Sequence, residues 1–255
     1  MLAPPSLPPF STRHTALFLD FDGTLAELAP QPEAVQISPD LVPLLQQLSI
    51  ALAGALALVS GRSLHTLDGF LAPLRLPAAG EHGAQRRLTD GRLIAVTPPD
   101  LQLAIAAGRA LATQHPALRL EIKTAAVALH YRHAPELEAL CRQVMTQAAS
   151  HTRGVQLLRG KFVFELKPAG VSKGTAIAQF MAEAPFAGRV PLFAGDDTTD
   201  EPGFSQVQLL GGHGLKIGSG PTLARYRCNS PGQLRDWLVS SLHSPLADAS
   251  AGTPA

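Results

Sequence analysis

Five short apolar runs stop abruptly at polar residues or glycine: TALFLDFDG (15–23), GALALVSGR (54–62), LPAAGEHG (76–83), VPLFAGDD (190–197) and GLKIGSG (214–220). A strand that is apolar at successive positions is covered on both faces, as in a parallel sheet flanked by helices. Helical stripes lie between several of the runs. Ser38 and Pro39 are placed as cap and first helical residue before Leu41, Leu44, Leu45, Leu48 and Leu52. Ser172 can cap a helix carrying Ile177, Phe180 and Met181, and Leu234, Trp237, Leu238 and Leu242 form a similar stripe. This alternation predicts an α/β fold, a doubly wound Rossmann-like core around a parallel sheet.

The middle of the chain follows another rhythm. A helix (101–114), strands LRLEIK and VALHYR, a second helix (135–149), then VQLL and FVFELK give the order α-β-β-α-β-β. Val127, Leu129 and Tyr131 alternate with Ala128, His130 and Arg132, the pattern of a sheet with one covered face. The expected organisation is a discontinuous core (1–97 and 169–255) interrupted by an inserted α+β domain (98–168).

Two carboxylates, Asp20 and Asp22, close the first run, and residues two apart on a strand point the same way. They would meet at the carboxyl end of the sheet, where open α/β sheets bind ligands, with Gly23 allowing a sharp turn. Carboxylates so close repel unless a cation joins them. A second acidic cluster, Gly195-Asp196-Asp197-Thr198-Thr199-Asp200-Glu201, follows the fourth run. Oxygen ligands with no usable Cys or His pair point to Mg²⁺ rather than zinc. Ser60-Gly61-Arg62 ends the second run with a hydroxyl, open amides and a guanidinium. Lys173-Gly174 opens a helix whose free amides favour an anion. Carboxylates around Mg²⁺, ringed by donors and a cation, suit phosphoryl transfer.

Composition narrows the alternatives. A net charge of +1 suggests neither a nucleic-acid nor a membrane surface. No run approaches the roughly 20 apolar residues of a membrane span. The two cysteines, Cys141 and Cys228, lack metal or redox spacing and read as unpaired thiols. With no signal-like start, a cytoplasmic location is expected. The Pro-rich first ten residues and the tail after about Leu246 have the composition of disordered ends.

DFDGTL, SGR, SKG and GDDTTD, in this order, resemble the four signature motifs of the haloacid dehalogenase superfamily of phosphatases. That resemblance implies Asp20 as nucleophile and Asp22 as general acid/base, with Ser60 holding the phosphoryl group and Lys173 neutralising it. Asp20, the Asp22 main-chain carbonyl, Asp196 and Asp200 would bind Mg²⁺. Asp197 fits loop shaping as well as it fits ligation.

In the inserted domain Glu121, Lys123, His130, Arg132, Lys161 and Glu165 lie on expected strands or their edges. By themselves they fit two descriptions: the solvated face of a half-buried sheet, or a polar wall that closes over a hydroxyl-rich sugar. GEHGA (80–84), EIKTAAVALHYR (121–132), GKFVFELKPAGVSKG (160–174) and ARYRCNSPGQLRDWL (224–238) are similar to trehalose-6-phosphate phosphatases. That family would place Lys123, Arg132, Lys161 and Glu165 against the sugar and Glu81 and His82 near the cleft; Gly61 and Arg62, at the end of the second run, are further candidates for substrate binding. Glu121 and His130 join them on the same strand faces. Phe21, Thr198 and Lys167 depart from the family pattern without removing a reacting group. The implied reaction is hydrolysis of trehalose 6-phosphate through an aspartyl phosphate, with a small-molecule substrate and no obligate protein partner. Another sugar phosphatase, a phosphomutase and a non-catalytic sugar-phosphate sensor remain the alternatives.

Overall fold

The computed structural model describes residues 7–29 and 34–243. The elements in chain order are β1 (Thr15–Leu19), α1 (Leu41–Ala51), β2 (Leu56–Val59), α2 (Leu64–Leu71), β3 (Ala78–Gly80), β4 (Gln85–Arg87) and β5 (Leu93–Ala95). Then come α3 (Gln102–Gln114), β6 (Arg119–Ile122), β7 (Val127–His130), α4 (Glu138–Ser150), β8 (Val155–Gly160) and β9 (Val163–Pro168). The chain finishes with α5 (Lys173–Met181), β10 (Val190–Gly195), α6 (Glu201–Leu209), β11 (His213–Ile217), β12 (Tyr226–Cys228) and α7 (Pro231–Leu242).

Contacts divide the chain into two compact units, Met1–Ile94 with Ser172–Ala255, and Ala95–Val171. In the first, the sheet runs β12-β11-β10-β1-β2-β3-β4-β5. From β12 to β3 every pairing is parallel, and β3–β4 is antiparallel. All residues of β1 and β2 are buried, because helices must cover both faces of such a sheet. Register carries the functional consequence. Leu19 pairs with Ala194 and Leu58, and Val59 pairs with Ala79, so Asp20, Ser60, Glu81 and Asp196 all emerge near one carboxyl edge.

Two sequence expectations need correction. The first long helix starts at Leu41 rather than Pro39, because the Ser38 carbonyl, not its hydroxyl, accepts the Leu41 amide in a preceding turn. The disordered start also fails at residues 7–10. Leu7 and Phe10 pack on the core, and Phe10 meets Trp237 edge-on at 5.9 Å between ring centroids. Residues 1–6 and the tail after Leu246 lie outside the described residues. Among the described residues no helix is long and apolar enough to cross a membrane. Cys141 and Cys228 are both free and buried.

The second unit is a four-stranded antiparallel sheet, β6-β7-β9-β8, with α3 and α4 on one face. Val127, Leu129, Phe164 and Leu166 pack there with Ala104, Leu111, Cys141 and Met145. At Gly108 in α3 a Cβ would meet a terminal methyl of Leu120, which places this stretch of the helix directly over β6.

Candidate active site

Asp20 is the first residue beyond β1, and its amide donates to the Ala194 carbonyl of the neighbouring strand at 2.9 Å. The residue is 4% exposed. Oδ1 accepts from Lys173 Nζ at 2.7 Å, and Oδ2 accepts from Thr24 Oγ1 at 3.3 Å. The chain then turns tightly, with the amides of Thr24, Leu25 and Ala26 all donating to the Phe21 carbonyl. Gly23 is required in this turn. Its φ is +73°, and a Cβ would overlap the Asp196 carboxylate.

Lys173 opens α5, whose first turn is closed reciprocally. Ser172 Oγ accepts from the Thr175 amide at 3.1 Å, and Thr175 Oγ1 accepts from the Ser172 amide at 2.9 Å. This fixes where the lysine side chain starts. Its Nζ lies between Asp20 and Asp200, 2.6 Å from Asp200 Oδ1. The other oxygen of Asp200 accepts the amides of Asp196 and Asp197, both at 2.9 Å, and so shapes the acidic loop. Gly195 is needed because a Cβ there would overlap the Asp200 carboxylate. Asp197 is half-buried and accepts from Thr198 Oγ1 at 3.4 Å within its own turn.

Asp20, Asp196 and Asp200 bring one carboxylate oxygen each within 4.8 Å of one another. Burial pushes the Asp20 carboxyl well above the usual carboxylate range, against the pull of Lys173, and the charges of Asp200 and Asp196 add to the rise. Burial, then the charge of Asp200, pushes Asp196 up to about 7. For Lys173, burial would depress the ammonium, but attraction to Asp20 and Asp200 and its hydrogen bonds outweigh burial and raise it. Crowded, oxygen-only carboxylates that resist ionisation together fit a hard divalent cation.

The sign of the pH dependence follows. Unfolded aspartates titrate near 3.8, whereas folded Asp196 titrates near 7 and Asp20 is also raised. Between these limits the folded protein holds protons that the unfolded chain has lost, so metal-free stability falls as pH rises from about 4 to about 7. Thermal melts in a chelator are expected to show a lower Tm at pH 7.5 than at pH 5. Added divalent cation should raise Tm more at the higher pH. A metal-free Tm that climbs across this range would contradict the assignment.

The remaining core residues divide into those near the carboxylates and those otherwise engaged. Ser60, buried just past β2, accepts the Arg62 amide on Oγ at 3.2 Å. The Asp22 carboxylate is not in the trio. Arg62 grips it through Nε at 2.6 Å and Nη2 at 2.7 Å, and the guanidinium stands 4.9 Å from the Phe70 ring centroid. The period of two used for Asp20 and Asp22 does not reach them, and their carboxylates have different partners. β1 ends at Leu19, the turn redirects Asp22, and Arg62 is engaged by Asp22 instead of standing open at the crevice. Glu81 and His82 are buried with φ of +49° and +58°, a conformation that ordinary residues rarely adopt. The Glu81 amide donates to the Arg62 carbonyl at 2.8 Å and the His82 amide to the Ser60 carbonyl at 2.9 Å. Gly61 has no room for a Cβ beside the His82 ring.

In the second unit the charges of the sheet pair across strands. Lys123 Nζ donates to Glu165 Oε2 at 2.9 Å, and His130 Nε2 lies 2.8 Å from Glu121 Oε2. The hydrogen bond to His130, opposed by burial, leaves the Glu121 carboxyl below its usual range. Glu165 is 4% exposed, which contradicts a simply solvated face. Arg132 and Lys161 are exposed and outside these pairs, although Arg132 stands 5.5 Å from the Phe162 ring centroid. Sequence reasoning missed Thr24, which donates to Asp20, and Lys216, whose Nζ donates to the Asp196 carbonyl. A lysine inside the apolar run GLKIG was the available signal for the second.

A haloacid dehalogenase-like hydrolase from Bacillus subtilis matches the fold with TM-score 0.61 at 15% identity, over 88% of this chain and 99% of that one. The two chains share this fold. A sequence profile of the trehalose-phosphatase family matches residues 18–230. The trehalose-6-phosphate phosphatase of Escherichia coli (strain K12) is 45% identical over 226 residues, 88% of this chain and 85% of that protein. A crystal structure of a trehalose-6-phosphate phosphatase related protein matches with TM-score 0.75 at 28% identity, over 89% of this chain and 96% of that one. The chain belongs to the trehalose-phosphatase family and is a phosphatase.

Proposed function

We propose that this protein hydrolyses trehalose 6-phosphate to trehalose and inorganic phosphate, using Mg²⁺ and an aspartyl phosphate on Asp20. The observation that carries the reading is the buried Asp20 carboxylate, held by Lys173 at the carboxyl edge of the sheet beside Asp196 and Asp200. Asp20 attacks phosphorus as the bond from phosphorus to the sugar 6-oxygen breaks, and Asp22 gives that oxygen its proton. A water then attacks phosphorus, passes its proton to Asp22 and releases phosphate as the Asp20 carboxylate returns. For either step Asp22 must turn from Arg62. Lys173 and Ser60 hold the phosphoryl oxygens, with Gly61 and Arg62 beside them. Asp20, Asp196, Asp200 and the Asp22 carbonyl hold the Mg²⁺, which when bound offsets the carboxylate charge and orients the phosphate.

The inserted domain, residues 98–168, reads the sugar. Glu121, Lys123, His130 and Glu165 supply hydroxyl partners already ordered by pairing with one another, and Arg132 and Lys161 offer exposed cations. In the core unit, Glu81 and His82 are the proposed substrate contacts. Two free buried thiols accord with action in a reducing cytoplasm, and the reading requires no obligate protein partner.

Glu165→Gln tests the sugar assignment. Its kcat/KM for trehalose 6-phosphate is expected to fall about 10- to 100-fold further than that for p-nitrophenyl phosphate, the range of a hydrogen bond to a charged group. Equal losses on both substrates would remove Glu165 from the sugar site.

A further inference from the structure

Lys216 is the buried charge at this edge that the mechanism leaves unused. It lies in β11, 5% exposed, opposite Gly195 in the ladder. Its Nζ reaches past the end of β10 to donate to the Asp196 carbonyl, and it also donates to the Ile217 carbonyl at 3.2 Å. Both acceptors are neutral, and burying an ammonium against neutral acceptors is costly. Part of that cost is offset by attraction to the Asp196 carboxylate, and the ammonium holds the neighbouring peptide in place.

What it holds is the Asp196 peptide, which is tied from both sides by charged groups. The Asp196 amide donates to Asp200 Oδ2 at 2.9 Å, and its carbonyl accepts from Lys216. The Asp196 carboxylate is further confined by Gly23, where a Cβ would overlap it. The residue is therefore tied through its main chain, with its carboxylate close against Gly23 and grouped with those of Asp20 and Asp200.

We propose that Lys216 is a positioning residue for the cation site, ordering Asp196 before a metal binds. This rests on the metal reading given above. Ligands held in advance lose less freedom on binding, and partners behind a metal ligand typically contribute 10- to 100-fold in affinity. The charge of Lys216 by itself acts oppositely, since a cation nearby repels a metal. Positioning and charge therefore predict opposite signs when the residue is removed.

The test uses Mn²⁺ alone, with free ion followed by electron paramagnetic resonance and no substrate present. Lys216→Met is expected to bind Mn²⁺ about 10- to 100-fold more weakly than the unaltered protein, while Lys216→Arg, which keeps a charged donor, recovers most of the affinity. The Mg²⁺ concentration for half-maximal turnover should rise by a similar factor, with a smaller change in kcat at saturation. If Lys216→Met does not fold, Lys216→Gln carries the same expectation of weakened binding. Unchanged or tighter Mn²⁺ binding in a folded variant would overturn the proposal, even if its Tm fell. Absence of binding to the unaltered protein would overturn the metal reading as well.

Discussion

Asp20→Asn is expected to lower kcat for trehalose 6-phosphate by on the order of 10⁴ or more while leaving the protein folded. Both halves follow from the environment of Asp20. The amide is nearly isosteric with the carboxylate but cannot attack phosphorus, so neither substrate consumption nor an acid-stable phosphoryl group on this segment should be seen. Burial raises the Asp20 carboxyl well above its ordinary range despite Lys173, so the folded, metal-free protein already disfavours the charged form. A neutral side chain is tolerated there, and Tm in chelator should match or exceed that of the unaltered protein at pH 7.5. Turnover within tenfold of normal would exclude Asp20 as the nucleophile.

Lys173→Met should produce the largest loss of stability. The residue is 2% exposed, and its ammonium is hydrogen-bonded to two buried carboxylates, Asp20 and Asp200. Removing one partner of such a cluster leaves buried charge uncompensated, which costs about 3–5 kcal/mol. Denaturant unfolding in chelator at pH 7.5 measures this directly. The double variant Lys173→Met with Asp200→Asn should regain part of the stability, because one stranded carboxylate has gone, yet remain as inactive as the single variant. A Lys173→Met protein as stable as the unaltered chain would show that the cluster does not carry the charge balance inferred here.

The sequence exposed what depends on local pattern. Uninterrupted apolar runs are how parallel strands must read, and the residues just past them occupy the ligand edge by topology, so Asp20, Ser60 and Asp196 could be anticipated. Pairings set by tertiary structure were hidden. Arg86 and Arg87 in β4 are both buried, Arg86 bidentate on Glu183 and Arg87 bidentate on Asp68. Those partners lie 97 and 19 residues away, and no periodicity reports them. The short strands β4, β5 and β12 have three residues each, too few to set a period of two. The Arg62–Asp22 grip spans 40 residues and depends on a turn that strand geometry cannot foresee. In the inserted sheet, alternation correctly separated the two faces. It could not tell solvated charges from the cross-strand pairs Lys123–Glu165 and Glu121–His130, because only register decides which charges meet.

The most direct measurement is phosphate release with Mg²⁺ from trehalose 6-phosphate, sucrose 6-phosphate, glucose 6-phosphate and p-nitrophenyl phosphate, with Asp20→Asn as control. The account predicts a kcat/KM for trehalose 6-phosphate at least about 100-fold above the others, abolished by chelator and by the substitution. Preference for another sugar phosphate would keep the phosphatase and discard the trehalose assignment. Phosphate release that survives Asp20→Asn or full removal of divalent cation would contradict the mechanism itself.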